Sequence, residues 1–147
     1  MNRFYFAYGS NMDPEQMAIR VPWTDPQQSR AGRLNGWRLT FDKEALAGAG
    51  YANIVECDGD QVEGTVWTID AEGLGELDGF EGEGSHYLRR PLEIETSDGP
   101  VLCVAYVAHP DRRRVGLRPE RDYLERLLAG RFLSPQYLHR LREIETA

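Results

Sequence analysis

The residues best suited to chemistry fall in two short stretches and a set of tyrosines. Glu81 lies in Asp78-Gly79-Phe80-Glu81-Gly82-Glu83-Gly84-Ser85, a run dense in carboxylates and glycines. Acids in such turns are usually solvated, and Glu76, Asp78 and Glu83 are read that way. Glu81 instead follows an aromatic residue inside a tight glycine frame. Burial there would raise its pKa and suit it to proton transfer near neutral pH. The second stretch is the turn Tyr8-Gly9-Ser10-Asn11, which can aim several backbone N–H groups at one carboxylate or oxyanion. By local chemistry alone it is equally the way a strand reaches a helix. Asn11 and Met12 follow Ser10, so the G-x-S-x-G elbow of a serine hydrolase is not matched. Tyr5, Tyr8, Tyr87 and Tyr123 could each offer a hydroxyl or simply fill a core with a wet edge.

The elements that must position these groups are readable in chain order. Phe4 to Ala7 has the aromatic content of a buried strand, and the glycine turn stops it. Asp13 suits the N-cap, Pro14 the first helical position, and Gln16 the far side of a capping box, predicting a helix from Pro14 to about Arg20. Gln27–Leu34 and Trp37–Asp42 read as two strands of a hairpin around Asn35-Gly36, with Trp37, Leu39 and Phe41 on the buried face. Glu44 to Gly50 is small and Gly/Ala-rich and reads as a mobile loop. Tyr51–Glu56 and Gln61–Ile69 read as strands turned by Asp58-Gly59-Asp60, the second apolar on both faces as in a central or barrel strand. Asp70 caps a short helix towards Phe80. Tyr87–Thr96 and Val101–Ala108 form a second hairpin, and helices over Pro119–Ala129 and Pro135 to about Glu145 end the chain. Roughly seven strands with helices at the start, middle and end give an α+β fold, a mostly antiparallel sheet curled towards a small barrel, in one domain over residues 1–147.

Composition narrows the function classes. With 41% hydrophobic and 28% charged residues the chain reads as a folded globular protein. Its apolar runs are too short to span a bilayer and its start lacks a signal peptide, so a cytoplasmic protein with no membrane partner is expected. A formal charge of −7 argues against nucleic-acid binding, which runs on phosphate neutralisation. Arg112 to Arg114 read as a solvated surface loop ahead of the alternative, a cluster that favours an anionic or carrier-bound substrate. Cys57 and Cys103 read as buried free thiols. His86, His109 and His139 are too scattered to support a metal site, and Gly48 and Gly50 make no dinucleotide fingerprint.

Taken together, Phe6-Ala7-Tyr8-Gly9-Ser10-Asn11-Met12, Gly50-Tyr51-Ala52-Asn53-Ile54 and Leu77-Asp78-Gly79-Phe80-Glu81-Gly82 resemble the γ-glutamylcyclotransferase family, with its γ-glutamylamine cyclotransferase and AIG2-like relatives. Tyr87, Tyr123 and the Tyr137/Leu141 helix extend the likeness over nearly the whole chain. The later L-D-x-x-E-G stretch makes the match more specific than Y-G-S-N alone. The resemblance implies a small α+β barrel with a cavity and a cofactor-independent reaction, in the sphere of glutathione metabolism. In that reaction the substrate's own α-amine attacks its γ-carbonyl, giving 5-oxoproline and a free amine or amino acid. It assigns proton transfer to Glu81 and the γ-glutamyl group to Tyr5, Phe6, Ala7, Tyr8, Gly9, Ser10 and Asn11, with Tyr123 and Tyr87 also in the pocket. It implies no metal, and either a monomer or a homodimer.

Two segments, Glu44–Gly50 and His109–Arg118, match nothing in the family pattern and are expected to border the pocket. The leaving group therefore stays open between an amino acid, an amine and a carrier-bound chain. The reading from another class is a binding module for a small γ-glutamyl-like ligand without turnover. A buried Glu81 would repel such a carboxylate-bearing ligand, which favours the enzyme.

Overall fold

The computed structural model describes residues 3–147. Aromatic and β-branched runs form five strands: β1 (Arg3–Ala7), β2 (Arg30–Glu44), β3 (Gly50–Ile69), β4 (Tyr87–Thr96) and β5 (Gly99–Ala108). They close into a barrel in the order β1-β3-β2-β4-β5. All pairings are antiparallel except β1 against β5, which meet in parallel at Tyr5 and Val104 and complete the closure. Four helices decorate it: α1 (Pro14–Arg20), α2 (Ala71–Glu81), α3 (Arg121–Leu128) and α4 (Pro135–Arg142). None of the described helices is long and apolar enough to cross a membrane.

Five strands replace the expected seven because both central turns are irregularities within continuous strands. Gly36 takes a left-handed φ of 81°, yet the chain does not reverse there. Asn35 pairs with Gln61 and Trp37 with Glu56, so β2 and β3 stay paired on both sides of a break in register. The four residues Cys57–Asp60 bulge outwards opposite Gly36, with Gly59 at φ 84°. The real connection between β2 and β3 is the 44–50 segment, a single helical turn over Leu46–Gly48 closed by the Ala45 N–H donating to Ala49 O at 2.9 Å. The second hairpin and all four helices stand where the sequence puts them, with ends shifted by a few residues.

Phe6, Val66 and Ile94 converge over Gly32, where an added Cβ would come within 2.7 Å of Val66 and 2.8 Å of Ile94. At Gly64 a Cβ would stand 2.3 Å from Ala7 O, so only glycine lets β1 lie this close to β3. The helices dock apolar residues on the barrel: Met17 of α1, Leu74 and Leu77 of α2, Leu124 and Leu127 of α3, Tyr137 and Leu141 of α4. The three- and four-residue spacing in the last three puts each pair on one helix face. Cys103 is buried, which pushes its thiol up to about 12, whereas Cys57, in the outward bulge, is only half-buried, against expectation.

Candidate active site

A cavity of about 680 Å³ opens at the end of β1, where the strand, α1, α2, α3 and three loops meet. That volume suits a small organic ligand. The turn after β1 sits here because Ser10–Met12 winds into one helical turn, with Met12 N–H on Gly9 O and Asp13 N–H on Ser10 O, both at 3.1 Å. Asp13 then caps α1 by accepting the Glu15 N–H at 3.0 Å. Gln16 does not close the expected capping box. Its amide turns back to Ser10 Oγ and to Asn11 Oδ1, at 3.1 Å from the latter, because the buried turn has acceptors to fill. Ser10 Oγ is thereby occupied in holding the turn.

Asn11 organises the site. It is 2% exposed, and its main-chain carbonyl accepts the Trp67 indole N–H at 3.0 Å. Its Oδ1 accepts Arg20 Nη1 at 3.0 Å, and its Nδ2 donates to Tyr5 Oη at 3.0 Å and to Glu81 Oε1 at 3.2 Å. Arginine can only donate, which fixes the amide orientation without ambiguity. Glu81 is the last residue of α2, and Gly82 ends the helix in the left-handed region at φ 61°. Asp78, one turn earlier, accepts Arg89 Nε at 2.8 Å and the Tyr106 hydroxyl at 2.7 Å, clamping the end of α2 onto β4 and β5. Asp78 is thus a structural anchor rather than the solvated acid the sequence suggested.

Burial pushes the Glu81 carboxyl above its ordinary value of 4.5, against the opposing pull of Arg20, Lys43 and the Asn11 hydrogen bond. Arg20 Nη1 stands 3.8 Å from Oε1 and its guanidinium lies over the Phe80 ring at 4.9 Å. Oε2 has no hydrogen-bond partner among the described residues. Glu81 is therefore a half-buried, cavity-lining carboxyl with one oxygen held and the other open.

The four tyrosines divide by where their protons go. Tyr8 donates to Tyr106 O, and Tyr87 donates to Ala52 O at 2.8 Å, so both hydroxyl protons are spent on the scaffold. Tyr5 accepts from Asn11, and Tyr123 accepts the Ala52 N–H at 3.0 Å. Neither of these two hydroxyl protons has an acceptor among the described residues, and both side chains line the cavity. Burial raises the pKa of all four hydroxyls, keeping them protonated. Tyr123 also faces Gly9, where an added Cβ would stand 3.2 Å from its oxygen.

Of the sequence-nominated residues, Tyr5, Tyr8, Gly9, Ser10, Asn11, Glu81, Tyr87 and Tyr123 line the cavity. Phe6 and Ala7 do not. Phe6 points to the other side of β1 from Tyr5, towards Gly32 and Gly64, and Ala7 is buried against β3. Both unmatched segments do border the cavity, through Glu44, Ala45 and Leu46 and through Arg112. Sequence reasoning missed Lys43, His86, Arg20 and Tyr106. For Lys43 a signal existed in the sequence: it continues the alternation of Trp37, Leu39 and Phe41, and a charge on an apolar face calls for a reason, although the register shift between Thr40 and Lys43 means that parity alone does not place it.

Residues 5–125 match the family model described as "Gamma-glutamyl cyclotransferase, AIG2-like". The curated γ-glutamylcyclotransferases of Bos taurus and Homo sapiens are 33% and 30% identical to the chain over 110 residues, covering 69% and 70% of it. The match spans 57% of each of those relatives, somewhat over half their length. A solved structure described as a γ-glutamyl cyclotransferase superposes with a TM-score of 0.88 at 25% identity, covering 100% of this chain and 90% of that one. A human protein of solved structure, described as uncharacterized, gives 0.87 at 26% identity over 99% of this chain and 89% of its own.

Proposed function

The chain belongs to the γ-glutamyl cyclotransferase, AIG2-like family, and from that premise we propose that it cleaves a γ-glutamyl amide by internal cyclisation. The substrate's α-amine attacks its own γ-carbonyl, releasing 5-oxoproline and the amine or amino acid on the other side. Because nucleophile and electrophile share one molecule, holding the substrate folded supplies much of the rate.

The observation that carries the reading is Glu81: a half-buried carboxyl on the cavity wall, one oxygen fixed by Asn11, its pKa raised above 4.5. A carboxylate so placed accepts a proton from the α-ammonium before attack. The raised pKa makes it a stronger base for that first transfer and brings it nearer the working pH, so that it can hold the proton and return it to the leaving nitrogen. The open protons of Tyr5 and Tyr123 are suited to the oxygen that gains charge as the γ-carbonyl becomes tetrahedral. Gly9 brings the main chain of the turn close to the Tyr123 hydroxyl, which any side chain on Gly9 would crowd. Phe6 and Ala7 act at one remove, by packing the strand that presents Tyr5.

Product analysis tests the reaction class. Incubation with a panel of γ-glutamyl amino acids and γ-glutamylamines should release 5-oxoproline and leaving group in equal amounts. Free glutamate in place of 5-oxoproline would show hydrolysis and refute cyclisation.

A further inference from the structure

Among the described residues four cations line the cavity, and two of them have carboxylate partners: Arg20 stands by Glu81, and Arg126 pairs with Asp13 at 2.8 Å. Lys43 and Arg112 have none within ion-pair distance among the described residues. Arg113 and Arg114, beside Arg112 in sequence, are paired with Asp42 and Glu44 at 2.9 and 3.4 Å. Lys43 is 4% exposed and feels Glu81 and Glu44 only from beyond ion-pair distance, so its incomplete neutralisation is costly unless something else supplies a close counter-charge.

The surroundings of Lys43 are built to hold its ammonium still. It donates to Glu44 O at 2.8 Å and lies 3.0 Å from His86 Nδ1. The rings of Tyr51 and Tyr87 flank it at 5.6 and 5.5 Å from their centroids. An ammonium can only donate, so His86 Nδ1 is an acceptor and the ring is held neutral. Two of the three ammonium protons are used and the third is free. Arg112 is fixed by Nε, which donates to Ser85 O at 3.1 Å, leaving its two terminal nitrogens as a fork for a carboxylate.

Three segments meet to make this arrangement. The His109 N–H donates to His86 O at 2.9 Å, and the Arg114 N–H donates to Asp42 O at 2.8 Å. The His86 N–H donates at 2.8 Å to the carbonyl of Gly82, the residue after Glu81. These bonds hold the unpaired cations beside the Glu81 end of α2. The remaining unpaired acids of the cavity, Glu120 and Asp122, stand beside Tyr123 at the start of α3 and repel an anion from there.

We propose that Lys43 and Arg112 form an anion subsite for the carboxylate of the leaving group, so that the chain selects γ-glutamyl amino acids over γ-glutamylamines and carrier-bound chains. This rests on the cyclotransferase reading. The two cations supply the counter-charge for the leaving amino acid, and His86 positions Lys43.

The test is the ratio of kcat/KM for γ-glutamylalanine to that for γ-glutamylethylamine, which differ only by the carboxylate. The wild-type ratio is expected to be on the order of 10–100, the worth of a charge-assisted hydrogen-bonded pair. Arg112→Gln, at an exposed position, should bring it down about tenfold, and Lys43→Met likewise if it folds. A structural role alone would lower both rates and leave the ratio intact, which would overturn the proposal. A wild-type ratio near one would also overturn it. If neither compound is turned over, the cyclotransferase reading fails, and the ratio of the two Kd values by calorimetry decides the subsite by the same criteria.

Discussion

Two pairs of tyrosines with opposite hydrogen-bond duties make the site's chemistry separable residue by residue. Tyr123→Phe removes an unspent proton from the cavity, whereas Tyr87→Phe removes one already given to Ala52 O. Tyr123→Phe should lower kcat by about 10–100-fold, a partial loss of oxyanion stabilisation. Tyr87→Phe should act mainly on stability, by about 1 kcal/mol. Equal kcat losses in the two variants, measured by 5-oxoproline release, would contradict the division. Glu81 and the Tyr8–Asn11 turn were legible in the sequence because each lies in one contiguous stretch whose neighbours set its local environment. Lys43, Arg20 and His86 were not, because separate elements carry them and only barrel closure brings them together. Phe6 and Ala7 were over-read, since strand alternation turns Phe6 away from the cavity that Tyr5 faces.

At the level of elements, close approach at Gly64 is what permits β1 to seat against β3 and deliver the turn to the cavity. Gly64→Ala should destabilise the fold by about 1–3 kcal/mol, as overpacking does, because Ala7 O stands 2.3 Å from the added carbon. Unfolding in urea measures this, and a loss below about 0.5 kcal/mol would show that the strands can part freely. Helices and the second hairpin were readable because caps and turn residues are local signals: Asp70 accepts the Gly73 N–H at 2.7 Å, and Ser134 accepts from Tyr137 N at 3.2 Å. The Asn35-Gly36 and Asp58-Gly59-Asp60 signals misled for a physical reason. A positive-φ glycine serves a bulge as well as a reversal, and the choice is made by pairing with residues far away in sequence.

For the molecule as a whole, the site is a cost to the fold. A carboxyl whose pKa is raised on folding binds its proton more tightly in the folded state. Its contribution to stability is full below the unfolded pKa, near 4.5, and is lost as pH rises through the folded value. Glu81→Gln carries no such loss. The variant should therefore gain stability relative to the wild type as pH rises from 4 to 7.5, read as the difference in urea midpoints. A difference that stays flat, or moves the other way, would show that Arg20 and Asn11 more than offset burial. The same shift should place the acid limb of kcat/KM above 4.5, since the reaction needs the carboxylate free to accept a proton.

The central claim is that Glu81 moves the protons of an internal cyclisation, and the rate of 5-oxoproline release by Glu81→Gln tests it most directly. With the fold confirmed by an unchanged cooperative melt, the account predicts a kcat lower by about 10²–10⁴-fold, the usual worth of a positioned proton carrier. A rate within a few-fold of the wild type would contradict it.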